Sequence, residues 1–166
     1  MPVTRVYIGL GSNLDNPVNQ VNTAIDSLRE LQHSTLIDIS SLYISEPMGP
    51  ADQPDFINAV ACLETSLEPN ALLNALLAIE DAHGRQRSGE RWGARTLDLD
   101  ILLYGDKTIK DDRLTVPHSG LHQRSFVLYP LQEINPDLWI PGHGRIAELV
   151  ANCSSAGLER LSKHDI

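Results

Sequence analysis

From Thr96 to Tyr104 apolar and acidic residues alternate. Leu97, Leu99, Ile101 and Leu103 point one way from an extended chain, and Asp98 and Asp100 the other. This is the pattern of a strand with one face in a core. Strands are normally depleted in Asp. Two carboxylates on one face repel each other, and partial burial adds a desolvation cost. A hard divalent cation offsets both, because carboxylate oxygens suit Mg²⁺ and the spacing lets the pair share one or two ions. The alternative is an edge strand whose acids face solvent, paired with Arg91 or Arg95.

The segments around this strand predict the rest of the fold. Val3 to Leu10 reads as a strand ending at Gly9-Leu10-Gly11. Asn16-Pro17 predicts a helix start, with Asn as cap and Pro in the first turn. Val18, Val21, Ile25, Leu28 and Leu31 follow at helical spacing. Thr35 to Ser45 reads as one strand and Phe56 to Thr65 as the next, with Ile57, Ala59, Ala61 and Leu63 on one face. A second helix runs from Pro69 and stops at Gly84. The order β-α-β-β-α-β is the split βαβ pattern of a ferredoxin-like α/β (α+β) sandwich. From Lys107 onward a small hairpin, a helix over Phe126 to Ile134 and a last helix from Arg145 to about Asn152 complete a single domain over residues 1–166.

Composition narrows the function. With 42% hydrophobic and 21% charged residues the chain is globular. The net charge of -9 argues against nucleic acid or an anionic membrane as partner, and no apolar run predicts a membrane span. Two cysteines, Cys62 and Cys153, and no signal-peptide pattern predict reduced thiols in a cytoplasmic protein. On this acidic background Arg85, Arg87, Arg91 and Arg95 form a basic island. Planar guanidinium forks match phosphate oxygens bidentately, so the island is either a site for a compact anion or a solvated loop. Gly84, Gly89 and Gly93 loosen its backbone, which predicts a loop that closes over bound substrates.

Other motifs carry less. Gly9-Leu10-Gly11-Ser12-Asn13 lacks the third glycine of a dinucleotide fingerprint and reads best as a turn between strand and helix. No Walker-type phosphate loop, zinc-ligand spacing or nucleophile elbow occurs. His118 and His122 follow Pro117; either is a phosphate donor or a surface residue, and His122 reads as surface. Phe56 and Asn58 share one face of their strand. A flat heterocycle could stack on the ring and hydrogen-bond the amide, or Phe56 could be core. Asn58 weighs against the core, because a buried amide needs partners.

Gly11-Ser12-Asn13-Leu14, Gln53-Pro54-Asp55-Phe56-Ile57-Asn58, Arg91-Trp92-Gly93-Ala94-Arg95-Thr96-Leu97-Asp98-Leu99-Asp100 and Arg113-Leu114-Thr115-Val116-Pro117-His118 together resemble the 6-hydroxymethyl-7,8-dihydropterin pyrophosphokinases of folate biosynthesis. The resemblance runs from about Val6 to Ile140. It implies transfer of the β,γ-pyrophosphoryl group of ATP to the pterin hydroxymethyl, with release of AMP. It implies Asp98 and Asp100 as ligands of two Mg²⁺ ions, with Arg85 and Arg95 beside them in catalysis. It implies ATP contacts from Arg85, Arg87, Arg91, Trp92, Arg95, Ile101, Arg113, Thr115, His118 and Arg124. For the pterin it implies Ser45, Pro47, Met48, Phe56, Asn58, Trp92 and Phe126, with the two Phe rings as a sandwich. Small-molecule substrates and a monomer are the implied partners and state. Three positions depart from some relatives: Ser119 stands for Tyr, Ser88 for Lys and Leu77 for a polar residue near the adenine. These bear on nucleotide affinity and base selectivity. The competing readings are a ferredoxin-like RNA-binding module, which the missing aromatic motif and the net charge oppose, and a kinase with another acceptor.

Overall fold

The computed structural model describes residues 2–14, 16–46, 55–83 and 97–161. The predicted anion loop (Arg85, Arg87, Arg91, Trp92 and Arg95) and the pterin-loop residues Pro47 and Met48 lie outside the described residues, as do Gly84 and Ser88.

Strand β1 (Thr4–Ser12) leads to helix α1 (Pro17–Arg29), strands β2 (Ser34–Ile39), β3 (Tyr43–Ser45) and β4 (Phe56–Thr65), helix α2 (Pro69–Ala82) and strand β5 (Asp98–Tyr104). Then come a hairpin of β6 (Ile109–Lys110) and β7 (Thr115–Val116), a 3₁₀ turn (Leu121–Gln123), helix α3 (Ser125–Ile134), a hairpin of β8 (Trp139–Ile140) and β9 (Gly144–Arg145), helix α4 (Ile146–Ala151) and strand β10 (Leu158–Arg160). The main sheet has the order β10-β3-β4-β1-β5, with β2 also on β4. Every pairing is antiparallel. Placing β4 between β1 and β2 is the split βαβ arrangement that the sequence predicts.

Alternation along the strands builds two cores. On one face Val6, Ile8, Leu10, Ile57, Ala59, Ala61, Leu63, Leu99 and Ile101 meet Val21, Ala24, Ile25 and Leu28 of α1 and Leu72 and Leu76 of α2. On the other, Tyr7, Val60, Cys62, Leu102 and Leu103 meet Val127, Leu128 and Leu131 of α3 and Ile146 of α4. The sheet is therefore sandwiched between the two helix pairs.

Five details differ from the sequence reading. Gly9 and Gly11 are not a turn: β1 runs through both to Ser12, since β4 and β5 pair with them from either side and satisfy the backbone groups that a turn would expose. Thr35 to Ser45 is two strands: the Ser40 N–H still bonds to the Val60 carbonyl at 2.9 Å, but the Ser40 Oγ, in place of a backbone carbonyl, accepts the Val60 N–H at 2.9 Å. Leu103 does not share a face with Leu99 and Ile101. A register shift at Tyr7/Ile8 leaves Leu102 as an extra residue, and beyond this bulge the faces swap. Asn16 sits at the α1 cap with φ 65° and makes no side-chain capping bond; its carbonyl accepts the Gln20 N–H at 3.0 Å. His122 is packed rather than free in water, its ring stacked on His143 with centroids 4.4 Å apart.

Candidate active site

The α3–α4 layer covers only part of its sheet face. It packs on Tyr7, Val60, Cys62, Leu102 and Leu103. Further along the same face β1 presents Gly9 and Gly11, β4 presents Phe56 and Asn58, and β5 presents Asp98 and Asp100. The register places them in rows: Asn58, Gly11 and Asp98 are successive cross-strand partners, as are Val60, Gly9 and Asp100. Two strand spacings put the Asn58 and Asp98 backbones about 10 Å apart. Gly11 puts no side chain on the floor between Asn58 and Asp98, whereas over Gly9 the Leu102 side chain already packs, 3.4 Å from where a Cβ would stand. A Cβ on Gly11 would lie 3.3 Å from Asn58 Oδ1 and 3.9 Å from the Phe56 ring.

The amide end is built from β3 and β4. Asn58 is 5% exposed, and its Nδ2 donates to Ser45 Oγ at 2.6 Å. Ser45 is itself buried and pairs with Phe56 across the strands. Phe56 is half-buried and, among the described residues, is in neither hydrophobic cluster. Phe126, the second residue of α3, is also half-buried, at the margin of the α3 core.

The carboxylate end is built from β5 and the segment after β7. Asp98 is half-buried and Asp100 exposed. The chain turns at the cis bond between Val116 and Pro117, and the His118 N–H then bonds to the Leu102 carbonyl at 3.0 Å. That bond fixes His118 beside Asp100. Burial pushes the His118 pKa down; Asp100 opposes this and Arg124 adds to it. The Gly120 N–H donates to His118 Nδ1 at 3.2 Å, so the neutral ring carries its proton on Nε2, where it can donate to an anion. Arg124 lies over the Phe126 ring, 5.7 Å from its centroid, and links the two ends. A Cβ on Gly120 would come within 2.6 Å of Arg124 Nε, so a larger residue there would displace the arginine head.

The remaining predicted residues spread outward. Arg113 Nη2 donates to Asn74 Oδ1 on α2, and Thr115 is exposed on the β6–β7 hairpin. Ile101 is 3% exposed with its side chain in the α1–α2 core, so only its backbone could reach a ligand on the Asp98 face. Ser119 is exposed, and Leu77 on α2 is 37% exposed.

One supporting residue escaped the sequence reading. Glu80 is 3% exposed and its Oε2 accepts the Leu99 N–H at 2.7 Å. It therefore holds the backbone between Asp98 and Asp100. The clue was present: Leu72, Leu76 and Glu80 follow at i, i+4, i+8, which puts a carboxylate on the buried stripe of α2.

The donor set suits magnesium. Among the described residues no group of three or more His, Cys, Asp and Glu side chains is arranged to hold a metal. Mg²⁺ commonly takes only one or two carboxylates and completes its shell with water and substrate phosphate. Two acids on an open face beside a glycine floor meet that requirement.

Residues 7–136 match the family described as 7,8-dihydro-6-hydroxymethylpterin-pyrophosphokinase (HPPK). A Pseudomonas aeruginosa 2-amino-4-hydroxy-6-hydroxymethyldihydropteridine pyrophosphokinase is 51% identical over 159 residues, covering 96% of this chain and 98% of that protein. One of the same name from Haemophilus influenzae is 52% identical over 156 residues, covering 94% and 97%. Among solved structures, a Plasmodium falciparum HPPK-DHPS with pteroate superposes with a TM-score of 0.72 at 15% identity, over 91% of this chain and 41% of that one. The chain spans less than half of that solved protein, and the likeness speaks to the fold alone. The fold is ferredoxin-like, and the family match and these relatives make the chain a transferase. The chain belongs to the HPPK family.

Proposed function

We propose that the sheet face from Asn58 to Asp100 is where this chain carries out the reaction of its family. That reaction moves the pyrophosphoryl group of ATP to 6-hydroxymethyl-7,8-dihydropterin in folate biosynthesis. The observation that carries the assignment is the row Asn58–Gly11–Asp98, with an amide and an aromatic ring at one end and carboxylates at the other.

The pterin stacks between Phe56 and Phe126, with Asn58 and Ser45 reading its polar edge. Its hydroxymethyl arm crosses the glycine floor toward Asp98. The hydroxymethyl oxygen forms a bond to the β-phosphorus and gives up its proton to solvent, the bond from that phosphorus to the α-bridging oxygen breaks, and AMP leaves. Asp98 and Asp100 hold Mg²⁺, two ions in this reading, which supplies charge neutralisation on the phosphate oxygens. His118, through Nε2–H, and Arg124 donate to the phosphate chain where charge builds. Arg113 and Thr115 would take the rest of the nucleotide. Arg85, Arg87, Arg91, Trp92 and Arg95, with the backbone of Ile101, complete the ATP contacts, and Pro47 and Met48 those of the pterin. Positioning and electrostatics suffice without a dedicated general base.

The reading is of a single domain acting as a monomer in the cytoplasm. Among the described residues no helix is long and apolar enough to cross a membrane. The deciding assay is AMP release from ATP and Mg²⁺, with and without the hydroxymethyl dihydropterin. AMP that appears only with the pterin supports the assignment; release with a different acceptor redirects it.

A further inference from the structure

Glu133 gathers an unusual number of donors. Its Oε1 accepts the Tyr43 hydroxyl at 2.7 Å. Its Oε2 accepts the Ser41 hydroxyl at 2.9 Å, the Ser41 N–H at 3.0 Å and Arg160 Nη2 at 3.2 Å. Arg160 Nε in turn donates to Ser41 Oγ at 3.0 Å. The Glu133 side chain is 20% exposed, so its bonds to Ser41 and Tyr43 form partly out of water, where charge-assisted bonds are strong, while Arg160 approaches from the solvent side. Burial and the neighbouring carboxylate both push the Tyr43 pKa up, and the phenol stays a donor.

The cluster joins three elements. Glu133 is on α3, Ser41 and Tyr43 lie at and just before β3, and Arg160 is on β10. Each leads to the pterin end of the proposed site. Tyr43 is the cross-strand partner of Asn58. Two residues on, Ser45 holds the Asn58 amide. On α3, Glu133 lies seven residues after Phe126, which is two turns along the same helix face. Pro130 falls between them and cannot donate to the Phe126 carbonyl, which weakens the helix's own hold on that residue. Strand β3 is three residues long and needs external bracing.

We infer that Glu133 is a positioning residue for the acceptor slot. By tying α3 to β3, it sets the gap between Phe126 and Phe56 and the aim of Asn58. Arg160 braces it from β10, beyond the family match that ends at residue 136. The inference rests on the slot proposed above.

The test compares Glu133→Ala, Glu133→Gln, Tyr43→Phe and Arg160→Ala. Steady-state KM and kcat are measured for pterin and for ATP, with melting curves as a fold check. Glu133→Gln keeps an acceptor for Tyr43 but turns an amide donor toward Ser41 and Arg160. Glu133→Ala should raise the pterin KM about tenfold, a tenth of the affinity. Glu133→Gln and Tyr43→Phe should raise it less, with kcat and the ATP KM nearly unchanged. Glu133→Gln combined with Tyr43→Phe should be non-additive. If Glu133→Ala does not fold, the milder variants carry the same test. Equal losses for pterin and ATP, or a lowered melting point with both KM values intact, would overturn the positioning role. Asn58→Ala and Phe126→Ala are run alongside. If neither weakens pterin, the slot assignment fails; if both do while the Glu133 and Tyr43 variants do not, only the role of Glu133 fails.

Discussion

The two ends of the glycine-floored face are built on opposite principles. At the amide end Asn58 and Ser45 are buried and bonded to each other. At the carboxylate end Asp100 is exposed and Asp98 half-buried, with a partly buried neutral His118 beside them. The first end has its desolvation cost already offset by internal hydrogen bonds, so it is preorganised for a neutral, flat ligand. The second places two acids of one strand face side by side, which in the proposed site is where cations and phosphates would bind. In the proposed site, acceptor recognition would thus be stored in the fold, whereas the electrostatics of transfer would arrive with ATP and metal.

The strongest way to break this contrast is at the carboxylates. Asp98→Ala or Asp100→Ala should lower kcat at least ~10²-fold, the scale of losing a key electrostatic group. Folding should be retained, and for the exposed Asp100 the metal-free melting temperature should stay unchanged or rise. Chelation of Mg²⁺ should mimic both variants. Near-normal turnover in either one would end the metal assignment.

At the other end Asn58→Ala should cost ~1–3 kcal/mol of pterin affinity through unpaired polar groups. ATP binding without pterin should barely change. Calorimetry showing equal losses for both ligands would make Asn58 a fold residue and erase the contrast.

Gly11→Ala sharpens the comparison because it acts between the ends. Its Cβ would press on Asn58 Oδ1 at 3.3 Å without a backbone penalty, since Gly11 is not among the positive-φ glycines. The added methyl stands where the hydroxymethyl arm must cross. A loss of several-fold in kcat/KM for pterin is expected, smaller than for Asn58→Ala, with ATP affinity retained. An unchanged pterin kcat/KM would show that the arm does not cross this floor.

How much of this was legible in the sequence follows from the physics of each part. The two acids of β5 stood out because a strand period is short and Asp is rare there. The shared face of Phe56 and Asn58 was readable for the same reason. Alternation says nothing about a bulge, so Leu103 went to the wrong face. It says nothing about pairing either, so Gly9 and Gly11 read as a turn when two neighbouring strands hold them extended. Glu133 and Tyr43 lie 90 residues apart, and no local pattern brings a helix carboxylate to a phenol at that separation. Ser40 could not announce that its hydroxyl would accept the Val60 N–H in place of a backbone carbonyl.

The smallest effect concerns acid stability. Burial pushes the pKa of His83 below its usual value, and the same holds for His118 and His143. Each folded-state value lies below the unfolded one of about 6.5. Between the two, the unfolded chain binds more protons, so stability rises with pH in that window. The metal-free protein should therefore lose stability as the pH falls below about 6.5, and the histidine contribution should level off below the folded values. His83 isolates the effect, since burial is its only cause of shift. Its Nδ1 faces Gln20 Oε1 at 2.6 Å, a bond that an Asn side chain can in part replace. His83→Asn should flatten the melting-temperature profile between pH 7.5 and 5.5 by no more than about 2 °C, given the usual scaling for a domain of this size. A variant profile parallel to the parent's would show that His83 titrates alike in both states, and would shift the acid sensitivity to the carboxylate end, where His118 faces Asp100.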